Sequence, residues 1–174
     1  MNDIPSPHSP SAPTPESRDG LQLFADGSCA PDSRRGGWAF VAYRDGVEVA
    51  SRCGGAEDAA NNRMEVTALL QAMLWLNANA AGEQAVIWSD SVVAVKGCND
   101  WRPIWRNNGW KKITANPKLR SRVIQDADLW QAIDRALAVN AGVTVMWCKG
   151  HAGIGGNERA DGLAEQGRRA VEPS

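Results

Sequence analysis

The chain has 174 residues, 43% of them hydrophobic and 22% charged, about one domain of ordinary globular composition. That excludes a wholly disordered chain and a coiled coil, and no apolar run reaches the ~20 residues that span a bilayer. Formal net charge is −1, from 19 Lys plus Arg against 20 Asp plus Glu, which taken alone argues against a nucleic-acid partner. The distribution argues the other way. Residues 96–122 carry eight cations, Lys96, Arg102, Arg106, Lys111, Lys112, Lys118, Arg120 and Arg122, against one acid, Asp100. That segment is +7 and the remainder −8, the footprint of an anion-binding surface on an acidic body.

In chain order, residues 1–19 hold five of the nine prolines among Ser, Thr and Ala, and read as a flexible tail ahead of a domain over 20–170. LQLFAD (21–26) alternates as a strand and is expected to stop at the turn residues Gly27 and Ser28. GWAFVAYR (37–44) and VEVASRC (47–53) flank Asp45-Gly46, a strong hairpin signal. A long helix over 62–80 follows, with Leu69, Ala72, Met73 and Leu76 at helical spacing. AVIWSD (85–90) is a short strand, with a short helix from Ser91 and another over 99–112. ADLWQAIDRALAVN (127–140) is an amphipathic helix, VTVMWC (143–148) a strand, and a last helix near 157–169 follows the Gly-rich GHAGIGG. This order describes an α/β domain with a mixed sheet.

The four cysteines, Cys29, Cys53, Cys98 and Cys148, form no CxxC pair, so neither a zinc site nor a disulfide framework fits. They suit a reducing compartment, as small buried hydrophobes. The N-terminus lacks a basic region followed by an apolar run, so a cytoplasmic location is expected, with no membrane contact.

Asp26 ends the first strand and Asp90 the fourth, where sites of α/β sheets gather. Each is equally readable as a turn or helix cap. Glu65 shares one helix face with Leu69, Ala72, Met73 and Leu76, so it falls on the buried stripe. A buried carboxylate needs a cation: either a bound metal ion or an arginine, with Arg63 and Arg159 in reach. Asp161 lies in the last helix and taken singly is a solvated acid. Jointly, four acids without Cys or His ligand spacing are what Mg²⁺ or Mn²⁺ wants. His151, on the Gly-rich loop, can exchange protons near neutral pH or serve merely as a surface residue.

The segments FADGSC, NNRMEVTAL, WSDS, KGHAG and NERADGLA, in this order, resemble those of the type 1 ribonuclease H family over about 21–169. The resemblance implies a five-stranded mixed sheet, its first three strands antiparallel, with helices on both faces. It implies endonucleolytic hydrolysis of the RNA strand of RNA–DNA hybrids, leaving 5′-phosphate and 3′-hydroxyl ends. The family's metal-binding carboxylates correspond to Asp26, Glu65, Asp90 and Asp161, holding two Mg²⁺ ions (or Mn²⁺), and its loop histidine to His151. Gly27, Ser28, Cys29, Asn61 and Asn62 match its hybrid-contacting positions; for the asparagines, helix capping is the alternative. Its basic handle corresponds to the segment with Trp101, Lys111 and Lys112, where Trp101, Trp105 and Trp110 also read as a small apolar core. A monomer is expected.

The chain departs from the family's usual residues at Ala60, Asp32, Val92 and Asp126, and 113–125 is longer than in the common bacterial form. These changes bear on affinity for the hybrid rather than on the acid set. Two other readings stand beside this one: a catalytically weak hybrid-binding domain of a larger replication or repair assembly, and a metal-dependent exonuclease or integrase of related fold. The complete acid set argues against the first, and KGHAG with NERAD against the second.

Overall fold

A computed structural model describes residues 11–116, 118 and 123–171. β1 (Leu21–Cys29), β2 (Gly36–Arg44) and β3 (Val47–Ala56) form an antiparallel meander. α1 (Asn61–Asn79) leads to β4 (Ala85–Ser89), which lies parallel to β1. There follow α2 (Val92–Lys96), a π-helical turn (Gly97–Trp101), α3 (Arg102–Asn107) and α4 (Ala127–Val139). β5 (Val143–Trp147) pairs parallel to β4, and α5 (Gly155–Arg169) closes the chain. The strand order is β3-β2-β1-β4-β5, the expected five-stranded mixed sheet of an α/β fold with helices on both faces.

The alternation of β1 sets the two layers. Leu21, Leu23 and Ala25 point into a core with Leu69, Met73 and Leu76 of α1 and Trp130 and Ile133 of α4. Phe24 points the other way, into a smaller core with Trp88, Ala160, Leu163 and Ala164 of α5. Asp26 shares the parity of Phe24, so it emerges on the α5 side in the carboxyl-terminal half of the strand. The α1 stripe read from the sequence, 65, 69, 72, 73 and 76, is buried throughout.

Several boundaries differ from expectation. β1 runs on through Gly27 and Ser28, which pair with Trp38 and Gly37, because a facing backbone outweighs local turn propensity. The helix expected over 99–112 is split. Pro103 has no N–H to donate, and a π-helical turn precedes α3. Gly109 and Trp110, both with positive φ, then carry the chain away from the helix. The last helix starts at Gly155 rather than near 157. Of the four free cysteines only Cys98 and Cys148 are buried; Cys53 is exposed and Cys29 half-buried.

Residues 1–10 lie outside the described residues, but the later part of the tail segment makes defined contacts. Gln22 Nε2 donates to the Ser17 and Asp19 carbonyls at 3.0 and 3.3 Å, and the Gly20 N–H donates to Asp45 Oδ1. Among the described residues, no helix is long and apolar enough to cross a membrane.

Candidate active site

Parallel pairing of β1 and β4 brings their carboxyl ends to the same edge of the sheet. Asp26 lies two residues past the last β1 residue paired with β4, Phe24, and Asp90 directly follows β4. Glu65 arrives from the second turn of α1, on the opposite face. It is held there by the backbone: the Gly27 N–H donates to Glu65 Oε2 at 3.0 Å. A Cβ at residue 27 would lie 2.4 Å from the Glu65 nitrogen, so only glycine lets α1 sit this close to β1. One carboxylate oxygen from each of Asp26, Glu65 and Asp90 lies within 4.8 Å of the others.

Asp26 is 4% exposed and Glu65 7%. Neither arginine considered as a partner for Glu65 reaches it. Arg63 pairs with Asp126 and Asp128, both at 2.9 Å, and Arg159 with Glu48 at 3.3 Å. Among the described residues, no Lys or Arg forms a salt bridge with any acid of the cluster. The consequence is electrostatic. Burial, and then the charges of Glu65, Asp90 and Asp161, push the Asp26 pKa well above the usual carboxylate range. Burial and Asp90 push Glu65 up as well, although the Gly27 N–H works in the opposite sense. Asp161, on α5, is close enough to raise Asp26 through both its charge and a hydrogen bond.

This donor set fits a hard divalent cation: oxygen ligands only, buried, with excess negative charge and no resident counter-ion. Asp26, Glu65 and Asp90 could bind a metal ion, with Asp161 beside them.

Two residues around Asp90 were not singled out from the sequence. Asn157, 3% exposed in the first turn of α5, donates from Nδ2 to Asp90 Oδ2 at 3.3 Å. Its signal was its spacing, four residues before Asp161 and so on the same helix face. Trp147 Nε1 donates to the Asp90 carbonyl at 3.1 Å. The loop bearing His151 passes against Asp90: a Cβ at Gly150 would stand 2.5 Å from Asp90 Oδ2. His151 itself is exposed, with φ +52°.

The other sequence candidates fall at three places. Ser28 Oγ accepts from Arg168 Nε at 3.2 Å, and Cys29 Sγ donates to the Ala59 carbonyl at 3.0 Å, so both side chains already have partners beside Gly27. Asn61 and Asn62 begin α1 next to the cluster. Neither caps it: the N-cap is Ala60, with no side-chain hydrogen bond. Trp101, 37% exposed, packs at a tilt on Trp105 (5.9 Å between ring centroids), which packs on Trp130 (5.6 Å). Trp105 and Trp110 are partly buried against the main core, so the tryptophans of this basic segment extend that core instead of forming a small one of their own. Lys111 and Lys112 are exposed, while Arg102 and Arg106 both pair with Asp134 of α4. Arg120 and Arg122 lie outside the described residues.

An open mixed sheet with acids gathered at the ends of its central strands defines a class of metal-binding α/β proteins. Comparison with known proteins narrows that class. The RNase H family profile matches residues 18–169. A ribonuclease H of Pseudomonas putida strain F1 is 36% identical over 149 residues, 86% of this chain and 93% of that protein. A ribonuclease H of Pseudomonas fluorescens Pf0-1 is 38% identical over 152 residues, covering 87% and 92%. Among solved structures, LC9-RNase H1, described as a type 1 RNase H with the type 2 active-site motif, matches with TM-score 0.73 and 26% identity. The match covers 94% of this chain and 77% of that one. The chain belongs to the RNase H family.

Proposed function

We propose that this protein is an endoribonuclease that hydrolyses the RNA strand of RNA–DNA hybrids, leaving 5′-phosphate and 3′-hydroxyl ends. The observation that carries this reading is the uncompensated cluster of Asp26, Glu65 and Asp90 within 4.8 Å, in a chain 36% identical to a bacterial ribonuclease H. Asp26, Glu65, Asp90 and Asp161 would hold two Mg²⁺ ions, with Mn²⁺ as a substitute. When bound, such ions lend charge to the scissile phosphate and make water a stronger nucleophile at neutral pH.

The chain's own residues do the rest. Gly27 and Asn157 fix the orientations of Glu65 and Asp90, so the acids meet the substrate already arranged. His151, on an exposed loop above Asp90, holds or passes a proton to solvent. Gly27, Ser28, Cys29, Asn61 and Asn62, side by side at the junction of β1 and α1, read the 2′-hydroxyls of the RNA strand through main-chain and polar groups. Trp101 packs on the sugars or bases of the DNA strand, and Lys111 and Lys112 attract its phosphates.

The test is direct. Labelled RNA–DNA hybrid, duplex DNA and duplex RNA are each incubated with the protein, with Mg²⁺ and with EDTA. Mg²⁺-dependent cleavage confined to the RNA of the hybrid is expected. Equal cleavage of duplex DNA, or hybrid binding without cleavage, would overturn the proposal.

A further inference from the structure

Asp26 and Asp90 each stand at the head of a column of side chains on the α5 face of the sheet. By the two-residue period, the column on β1 is Gln22, Phe24 and Asp26. The column on β4 is Val86 and Trp88, with Asp90 just past the strand. The parallel ladder sets the two level, Gln22 beside Val86 and Phe24 beside Trp88. One side-chain bond crosses between the columns: Trp88 Nε1 donates to Gln22 Oε1 at 2.8 Å, a diagonal step from β4 to β1. Both residues are buried, Trp88 at 2% exposed and Gln22 at 5%. Away from water such a bond is stronger than the same bond at the surface.

A glutamine amide has two orientations, and only one of them accepts from the indole. Turned over, its nitrogen would face the Trp88 N–H, donor against donor. The chain ahead of β1 settles the choice. Gln22 Nε2 donates to the Ser17 carbonyl at 3.0 Å and to the Asp19 carbonyl at 3.3 Å, so the nitrogen is committed to that side. Both amide hydrogens and the oxygen are thus used. The segment that supplies the two carbonyls is itself fastened. Gly20 donates to Asp45 Oδ1, and the Asp45 N–H donates to the Gly20 carbonyl, each at 2.9 Å. Arg18 packs over Gly46, where an added Cβ would stand 2.9 Å from its Cδ.

We propose that Gln22 is a positioning residue for the metal-binding acids. Oriented by Ser17 and Asp19, it ties Trp88 to β1 and so holds Asp26 and Asp90 within reach of one cation. Gln22 lies two layers below Asp26 and touches neither metal nor substrate. It acts through Trp88, whose ring fills the layer directly below Asp90 in the core shared with Phe24 and α5. This inference rests on the metal-dependent reading given above.

Mg²⁺ binding is followed by calorimetry on the full chain without nucleic acid, and cleavage of hybrid is measured in parallel. Gln22→Met keeps the length of the side chain but loses its hydrogen bonds. It should weaken Mg²⁺ binding by about 3–10-fold, the reach of one or two such bonds. Turnover at limiting Mg²⁺ should fall with it, while KM for hybrid holds. Trp88→Phe removes the donor from the other side and should act alike. Because both changes break the same link, the double variant should lose no more Mg²⁺ affinity than the weaker-binding single one. Asp45→Ala, at the surface, loosens the segment ahead of β1 and should shift Mg²⁺ binding in the same direction, so the idea stays testable if the buried variants do not fold. A glutamine that merely stabilises the fold would lower the melting temperature and leave the Mg²⁺ affinity of the folded protein untouched. That outcome in every variant that folds, with the wild type binding Mg²⁺, would overturn this inference alone. A wild type that binds no Mg²⁺ would overturn it together with the metal-dependent reading.

Discussion

Asn157 Nδ2 donates to Asp90 Oδ2 across 3.3 Å, tying the first turn of α5 to the end of β4. Its amide adds no charge to an acidic cluster, and it aims one carboxylate oxygen of Asp90. Such orienting partners typically alter metal affinity by 10–100-fold. Asn157→Ala is expected to raise the Mg²⁺ concentration for half-maximal cleavage by about tenfold or more, with KM for hybrid nearly unchanged. Half-saturation at the wild-type concentration would show that Asp90 needs no such support.

Removing a ligand carboxylate should abolish cleavage yet help the metal-free fold. Asp26→Asn, Glu65→Gln and Asp90→Asn are each expected to lose almost all activity and retain hybrid binding. Asp26 and Glu65 have raised pKa values when folded, so the folded state binds more protons than the unfolded one above about pH 4. Stability of the metal-free protein therefore falls as pH rises from that point into the alkaline range. Melting curves should show Asp26→Asn above the metal-free wild type at pH 7.5 and the gap closing at pH 4. The shift would be about 2–4 °C for each kcal/mol of repulsion removed. A lower melting temperature for the variant at pH 7.5 would contradict this account.

His151 is exposed and belongs to the loop over Asp90 rather than to the acid cluster. His151→Ala should lower turnover by about 10²–10⁴-fold, the range of a positioned acid–base group. Hybrid affinity and metal affinity should both hold. Calorimetric titration with Mg²⁺ separates the roles, since loss of metal binding in this variant would make His151 a ligand instead.

The basic segment should grip by two different forces. Lys111→Ala with Lys112→Ala should flatten the salt dependence of hybrid affinity, by roughly 0.7–0.9 in log–log slope for each phosphate that is no longer neutralised. Trp101→Ala should weaken affinity with the slope intact, because stacking releases no counterions. Affinities at three salt concentrations distinguish the two, and an unchanged slope in the double lysine variant would make those lysines mere solvated charges.

What the sequence revealed depended on periodicity. The 3.6-residue repeat of α1 placed Glu65 on the buried stripe, while Asp26 stood out by its place late in the first strand; both are buried. The competing view, an arginine partner for Glu65, failed for a reason no spacing shows: Arg63 and Arg159 are drawn to Asp126, Asp128 and Glu48 on other elements. Asn157 stayed hidden because a polar residue opening a helix is ordinary, and its spacing from Asp161 gains meaning only beside its bond to Asp90. Likewise Gly27 read as a strand stop, whereas its missing side chain is what admits α1. Pairwise tertiary contacts decided each of these, and local pattern does not encode them.

β1 is hydrogen-bonded along both edges, antiparallel to β2 and parallel to β4. Its reading frame is therefore locked twice. A single residue inserted before Asp26 would have to be absorbed as a bulge against both neighbours at once. If it were not, Asp26 would turn to the face of Leu23 and Ala25, away from Asp161. The same insertion in the Gly109–Asn116 stretch would meet no ladder on either side. Length can drift in the basic segment, while at the centre of the sheet a change of one residue inverts the chemistry.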